Sequence, residues 1–236
     1  MIILSIETSM RVCSAVVSDG VNILYSRRSE TGSHAKDLPV FIDELLGCVH
    51  ADGIQIEAVA LSQGPGSYTG LRIGTALSKG LCYGLGVPLL AIDTLQVIAS
   101  AVPAETLPDN VLLCPMIDAR RMEVYCALYD KRLRRLTDIE AKVIDASSFA
   151  ELLDRQPICF LGNGAEKCKG VIEHKNAIFA DNIESEAENM RYLAEEAYKN
   201  RQMVDIAYFE PFYLKEFQAT VSKKTEKILT HINANT

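Results

Sequence analysis

A strand that ends in an acid and leads into a tight hairpin occurs twice in this chain, 111 residues apart, and this repeat limits the folds open to it. In the first copy, Ile2–Ile6 is apolar but for Ser5 and runs into Glu7. Cys13–Val17 and Val21–Arg27 follow, joined by the turn residues Ser18-Asp19-Gly20. In the second copy, Val111–Ile117 runs into Asp118, then Glu123–Leu128, and a third run starts near Leu133 after the turn Tyr129-Asp130-Lys131. The pattern predicts one β-β-β-helix unit used twice.

Helical periodicity fills the gaps. His34–Val49 carries Leu38, Ile42, Leu45, Leu46 and Val49 as a stripe, with Pro39 in the first turn, where a missing N–H costs nothing. Gly70–Leu85 reads as a second helix. Asp93–Ala101 reads as a third, capped by Asp93 or Thr94. Ser148-x-x-Glu151 and Ser185-x-x-Glu188 read as capping boxes. The latter opens a helix with Met190, Leu193, Ala194, Ala197 and Tyr198 on one face. Strands alternating with helices give an α/β fold with mixed sheets. The polar, proline-containing stretch Pro103–Asn110 divides it into lobes 1–104 and 105–236, with the last segment free to return to the first lobe.

At 236 residues and 48% hydrophobic, the chain can bury a full core. No apolar run approaches the roughly 18 residues of a spanning helix, and the acid at Glu7 argues against a signal peptide. The seven cysteines lack Cys-x-x-Cys spacing and read as reduced core thiols of a cytosolic protein. No histidine pair has ligand spacing, so a zinc site is not expected. A formal charge of −7 disfavours unaided RNA binding. The basic tail Lys215, Lys223, Lys224 and Lys227 reads as a solvated end, with an RNA or partner contact as the alternative.

The most informative stretch is Ser62-Gln63-Gly64-Pro65-Gly66-Ser67-Tyr68-Thr69-Gly70, between a strand at Ala58–Leu61 and the second helix. Strand, glycine loop and helix start can hold an anion. No Lys-Ser/Thr follows at Walker spacing, and Pro65 stands where a nucleophile elbow around Ser67 needs glycine. The residues therefore leave a structural loop and a phosphate loop both open. Within the helix, Gly70, Gly74 and Ser78 form one row of small residues, and Ala76, Gly80 and Gly84 a second. Each internal glycine costs about 0.8–1.0 kcal/mol relative to alanine, so close contact with another helix, of this chain or a partner, is the expected reason. Glu7 and Asp118 end equivalent strands and could face one cleft, where paired acids would hold a metal bridging nucleotide phosphates.

Several of these segments resemble the TsaB (YeaZ) family: Ile3-Leu4-Ser5-Ile6-Glu7-Thr8-Ser9, His34-Ala35 with Leu38-Pro39, Gly64 through Gly74, Ser78-Lys79-Gly80-Leu81, Pro115 through Arg120, and Pro211-x-Tyr213-Leu214. The resemblance implies two RNase-H-like lobes of the actin–hexokinase–Hsp70 type. It implies a non-catalytic subunit in the formation of N6-threonylcarbamoyladenosine (t6A) beside the tRNA anticodon. The chain would pair with the catalytic paralogue TsaD and with TsaE, touch tRNA only indirectly, and form a homodimer through the same helices when alone. ATP and a metal would belong to the partners. Leu38, Ile42, Leu45, Leu71, Gly74, Leu77, Ser78 and Leu81 would make the interface. Glu7, Thr8, Ser9, Gly64, Gly66, Ser67 and Asp118 would line a vestigial nucleotide cleft with no catalytic residue.

Two departures bear on chemistry. TsaD-like chains carry a His-x-x-x-His metal pair where this chain has Thr94 and Ile98. Isoleucine offers a metal no lone pair, which also counts against a glycoprotease-like activity. Family members usually have Asp where this chain has Glu7. The alternatives are an independent ATP-dependent transferase or hydrolase using Glu7, Asp118 and the loop, or a plain nucleotide-binding module.

Overall fold

The structure, a computed structural model, describes residues 1–20 and 22–215. The tail lysines Lys223, Lys224 and Lys227 lie outside the described residues. β1 (Ile2–Glu7) is buried from Ile3 onward, as its apolar run requires. β2 (Cys13–Asp19) pairs antiparallel with it and turns through Gly20, at φ 57°, into β3 (Asn22–Ser29). α1 (His34–Ala51) leads to β4 (Ala58–Gly64), parallel to β1. α2 (Tyr68–Leu85) ends at Gly86 in the left-handed conformation that glycine adopts most easily. β5 (Leu89–Asp93) follows, parallel to β4, and α3 (Thr94–Ser100) is capped by the Asp93 carboxylate, which accepts from Leu95 N–H at 2.9 Å.

The second half repeats this plan with β6 (Leu112–Asp118), β7 (Glu123–Cys126), β8 (Glu140–Val143), α4 (Ala150–Leu153), β9 (Ile158–Leu161) and β10 (Ala177–Ala180). α5 (Arg191–Lys199) and β11 (Met203–Val204) close the described chain, and β11 pairs with β5 of the first sheet. Strand order is β11-β5-β4-β1-β2-β3 in one sheet and β10-β9-β6-β7-β8 in the other. Apart from β11 the orders are identical, so the duplication is real.

Three local expectations fail. The third strand of the second half starts at Glu140, not Leu133. The Asp130 carboxylate gathers the N–H groups of Arg132 and Arg134, and Leu133 takes φ 60°, so the tip coils before the ladder resumes. Ser148 does not cap α4. It bonds Asp145 in a turn, and Phe149 occupies the cap position. Ser185 does not cap its helix either, because its hydroxyl is directed into the core, onto Glu7.

Leu38, Ile42, Leu45 and Val49 of α1 pack on Leu4, Ile6, Val59 and Leu61. Across the sheet, Ile3, Ala60, Leu90 and Ile92 meet Val97 of α3 and Met190, Ala194 and Ala197. The other side of α3, Leu95, Ile98 and Ala99, is buried against Leu113, Ile117, Cys159 and Leu161 of the second sheet. One helix thus serves two cores and joins the lobes.

Of the seven cysteines only Cys48 is not fully buried. Burial pushes the Cys13 thiol up to about 12 and those of Cys82 and Cys159 to about 11, so little thiolate exists at neutral pH. A thiol reagent at pH 8 is expected to label Cys48 alone in the native protein and all seven cysteines after denaturation. Rapid native labelling of several would contradict this core.

Candidate functional site

Six of the seven expected cleft residues come together where β1 meets the glycine loop. Glu7 is fully buried. One carboxylate oxygen accepts from Ser9 N–H at 2.6 Å and from the Ser62 hydroxyl at 2.8 Å, and the other accepts from the Ser185 hydroxyl. The Thr8 hydroxyl donates to the Gly70 carbonyl at 2.8 Å. The Ser9 carbonyl accepts from Ser67 N–H at 2.7 Å, and the Ser67 hydroxyl accepts from Gly70 N–H at the start of α2.

The glycines exist for this contact. A Cβ at Gly66 would lie 2.5 Å from the Ser9 carbonyl oxygen, and one at Gly70 only 2.0 Å from that of Thr8. Gly64, at φ 113°, gives its N–H to the Thr94 hydroxyl. Three loop N–H groups, those of Gly64, Ser67 and Gly70, are thus bonded within the chain. The structural loop accounts for the pattern, and those amides are not free for a phosphate.

Asp118 is elsewhere. It shares no partner with Glu7 and is half-exposed on the second lobe, bonded to Lys167 and to Arg120 N–H. Burial alone would raise this carboxyl, but the Lys167 ammonium and the Arg120 N–H outweigh it and hold the group below the usual carboxylate range. A nucleotide-bound metal, which the two-lobed plan implies, needs carboxylate oxygens free at both strand ends. Glu7 meets three donors of the chain and Asp118 meets an ammonium, so the residues do not fit that group.

Sequence reasoning missed Ser62, Ser185, Thr94, Asn163 and Lys167. Only one carried a usable signal. Gly162-Asn163-Gly164 comes at the end of β9 as Gly64-Pro65-Gly66 comes at the end of β4, and it packs equally tightly: a Cβ at Gly162 would lie 2.6 Å from the Met116 carbonyl oxygen.

The expected interface needs correction. Leu38, Ile42, Leu45, Leu71, Gly74 and Ser78 are buried inside the chain, and Leu77 and Leu81 are half-buried. The Gly70–Gly74–Ser78 row faces β1 and β4, where a Cβ on Gly74 would meet the Thr8 hydroxyl at 2.3 Å. The second row faces out. A Cβ on Gly80 or Gly84 meets nothing within 4 Å, and Ala76 and Tyr83 are exposed beside them, with Val40 and Gly47 exposed on α1. Both rows have the same spacing, so periodicity alone could not rank them.

Two lobes of like topology, joined at α3, define the actin–hexokinase–Hsp70 class. A ROK family protein from Streptococcus pneumoniae has the same fold, with a TM-score of 0.51 at 9% identity over 86% of this chain and all of that one. YeaZ from Pseudomonas aeruginosa gives 0.75 at 24% identity, over 90% of this chain and 99% of that one. Residues 29–229 match the family model described as TsaD, tRNA N6-adenosine threonylcarbamoyltransferase, and the chain belongs to this family, on its TsaB (YeaZ) branch. The tRNA threonylcarbamoyladenosine biosynthesis protein TsaB of Haemophilus influenzae is 32% identical over 52% of this chain and 51% of its own length. The chain thus spans about half the length of the curated relatives it matches first. Among the described residues no helix is long and apolar enough to cross a membrane.

Proposed function

We propose that this chain is a non-catalytic subunit of the assembly that forms t6A on tRNA, pairing with a TsaD homologue through the outward faces of α1 and α2. The observation that carries the reading is the fate of Thr94 and Ile98, the positions set against the TsaD metal pair. Both are fully buried, Thr94 bonded to Gly64 and Ile98 packed in the interlobe core. The partner surface is the small-residue row Ala76–Gly80–Gly84 with Tyr83, whose side chain is 84% exposed. Small residues let a second helix approach closely, and an exposed tyrosine beside them is a common anchor of protein interfaces. The same face closes a homodimer when the partner is absent, and a TsaE homologue joins the assembled pair. ATP and the reactive metal reside on those partners, and tRNA is reached through them.

The test is t6A formation on tRNA with TsaD and TsaE homologues present, with and without this chain. Product is expected only with it. Gly80→Glu is expected to weaken co-purification with the TsaD homologue at least 10-fold while leaving the circular dichroism unchanged. Undiminished t6A without the chain refutes the role, and wild-type affinity of the Gly80→Glu protein refutes the surface.

A further inference from the structure

The turn between β6 and β7 encloses a positive charge that belongs to the chain itself. Arg120 and Arg121 take φ 73° and 49°, which reverses the backbone between Asp118 and Glu123. Into this turn reaches Lys167, from the single helical turn Glu166–Cys168 after the second glycine loop. Its ammonium donates to the Asp118 carboxylate, to the Arg121 carbonyl at 2.7 Å and to the Glu123 carbonyl at 2.7 Å. An ammonium has three protons, and each has an acceptor. The delivering loop is itself fixed to β6: Asn163 accepts from Asp118 N–H at 2.9 Å, and Gly164 N–H donates to the Met116 carbonyl at 2.9 Å.

One carboxylate and two backbone carbonyls converging on a point are three of the six or more oxygens that a hard cation takes, with water supplying the rest. We propose that the β6–β7 turn is a site for a divalent cation of the calcium or magnesium class, held closed by Lys167 as a tethered substitute. The plug keeps a metal ion away from Asp118, and removing it frees the three oxygens without any change of fold. Arg120 and Arg121 flank the turn, and Lys215 is paired with Glu123, so affinity in the opened site falls near the weak end for such modules, a Kd of about 10⁻³ M. This goes beyond the subunit role and stands or falls separately from it.

The test uses the full chain as wild type, Lys167→Met, Lys167→Arg, and Lys167→Met with Asp118→Asn. Terbium luminescence reports binding, with calcium and then magnesium as competitors. Lys167→Met is expected to bind at least 10-fold tighter than wild type and Lys167→Arg, and the double variant to return to the wild-type level. Binding by Lys167→Met no tighter than wild type, or binding that survives Asp118→Asn, overturns the proposal. A second measurement needs no variant. In nitrogen-15 spectra of the wild-type chain, the Lys167 ammonium protons are expected to exchange with water more slowly than those of solvated lysines. Equal exchange rates overturn the proposal whatever the variants do.

Discussion

Gly70→Ala is expected to abolish the folded protein, whereas Gly80→Ala, the same change ten positions along the same helix, is expected to stabilise it by about 0.8–1.0 kcal/mol. The two glycines differ only in what surrounds them. A methyl at Gly70 would lie 2.0 Å from the Thr8 carbonyl oxygen, which is backbone and cannot rotate away. Relief requires α2 to lift from β1, which breaks the Thr8–Gly70 hydrogen bond and opens the packing of Leu71 and Leu61. Overpacking in a yielding core costs about 1–3 kcal/mol; a backbone clash beneath the buried face of α2 exceeds that and approaches the whole 5–15 kcal/mol that holds a domain together. At Gly80 nothing lies within 4 Å, so alanine only removes freedom from the unfolded chain. Gly74→Leu belongs with Gly70: a bulky residue there disrupts the fold before it can disrupt any partner contact. Denaturant titration of the variants decides the matter. A folded Gly70→Ala protein within 1 kcal/mol of wild type would show that α2 does not sit on β1 as described.

The second large effect is expected at Glu7. Glu7→Ala leaves the Ser9 N–H and the Ser62 and Ser185 hydroxyls buried without their acceptor. Each unsatisfied group costs about 1–3 kcal/mol, and removing one partner of a buried charged network about 3–5 kcal/mol in all. For a chain of this size that lowers Tm by roughly 6–20 °C. Glu7→Gln keeps one acceptor oxygen, and the hydroxyls can turn to accept from its amide, so the loss is expected to be smaller. If Ala and Gln prove equally mild, the carboxylate is not the hub described here. A nucleotide-site reading makes the opposite forecast, unchanged stability with lost ligand affinity, and the two measurements separate the readings.

The frame of the fold was legible because it rests on alternation and turn chemistry, which are local. Ile2–Ile6 and the α1 stripe fell where they were read, the first hairpin turns at Gly20 after Ser18 and Asp19 have extended β2, and the repeat survives as identical strand orders. Ser148 and Ser185 were misread for one reason. A Ser-x-x-Glu pattern states what a serine can do beside a helix, not whether a distant acceptor claims its hydroxyl first. Glu7 lies 178 positions from Ser185, and no spacing rule reaches that far. The glycine rows failed in the same way: their period shows that a helix approaches something closely, but not which side approaches what. Lys167 gave no signal because its acceptors are mostly backbone carbonyls, which every sequence contains.

The double burial of α3 has a mechanical consequence. In a two-lobed molecule built to open and shut, the joint should contain little that resists separation. Here Val97 is seated in one core and Ile98, its neighbour, in the other. A clamshell motion would have to draw one of them out into water, at about 1.5–3 kcal/mol for each aliphatic side chain exposed. The joint is a rivet rather than a hinge. Whatever docks on the outer helices therefore meets two lobes that share a core at α3.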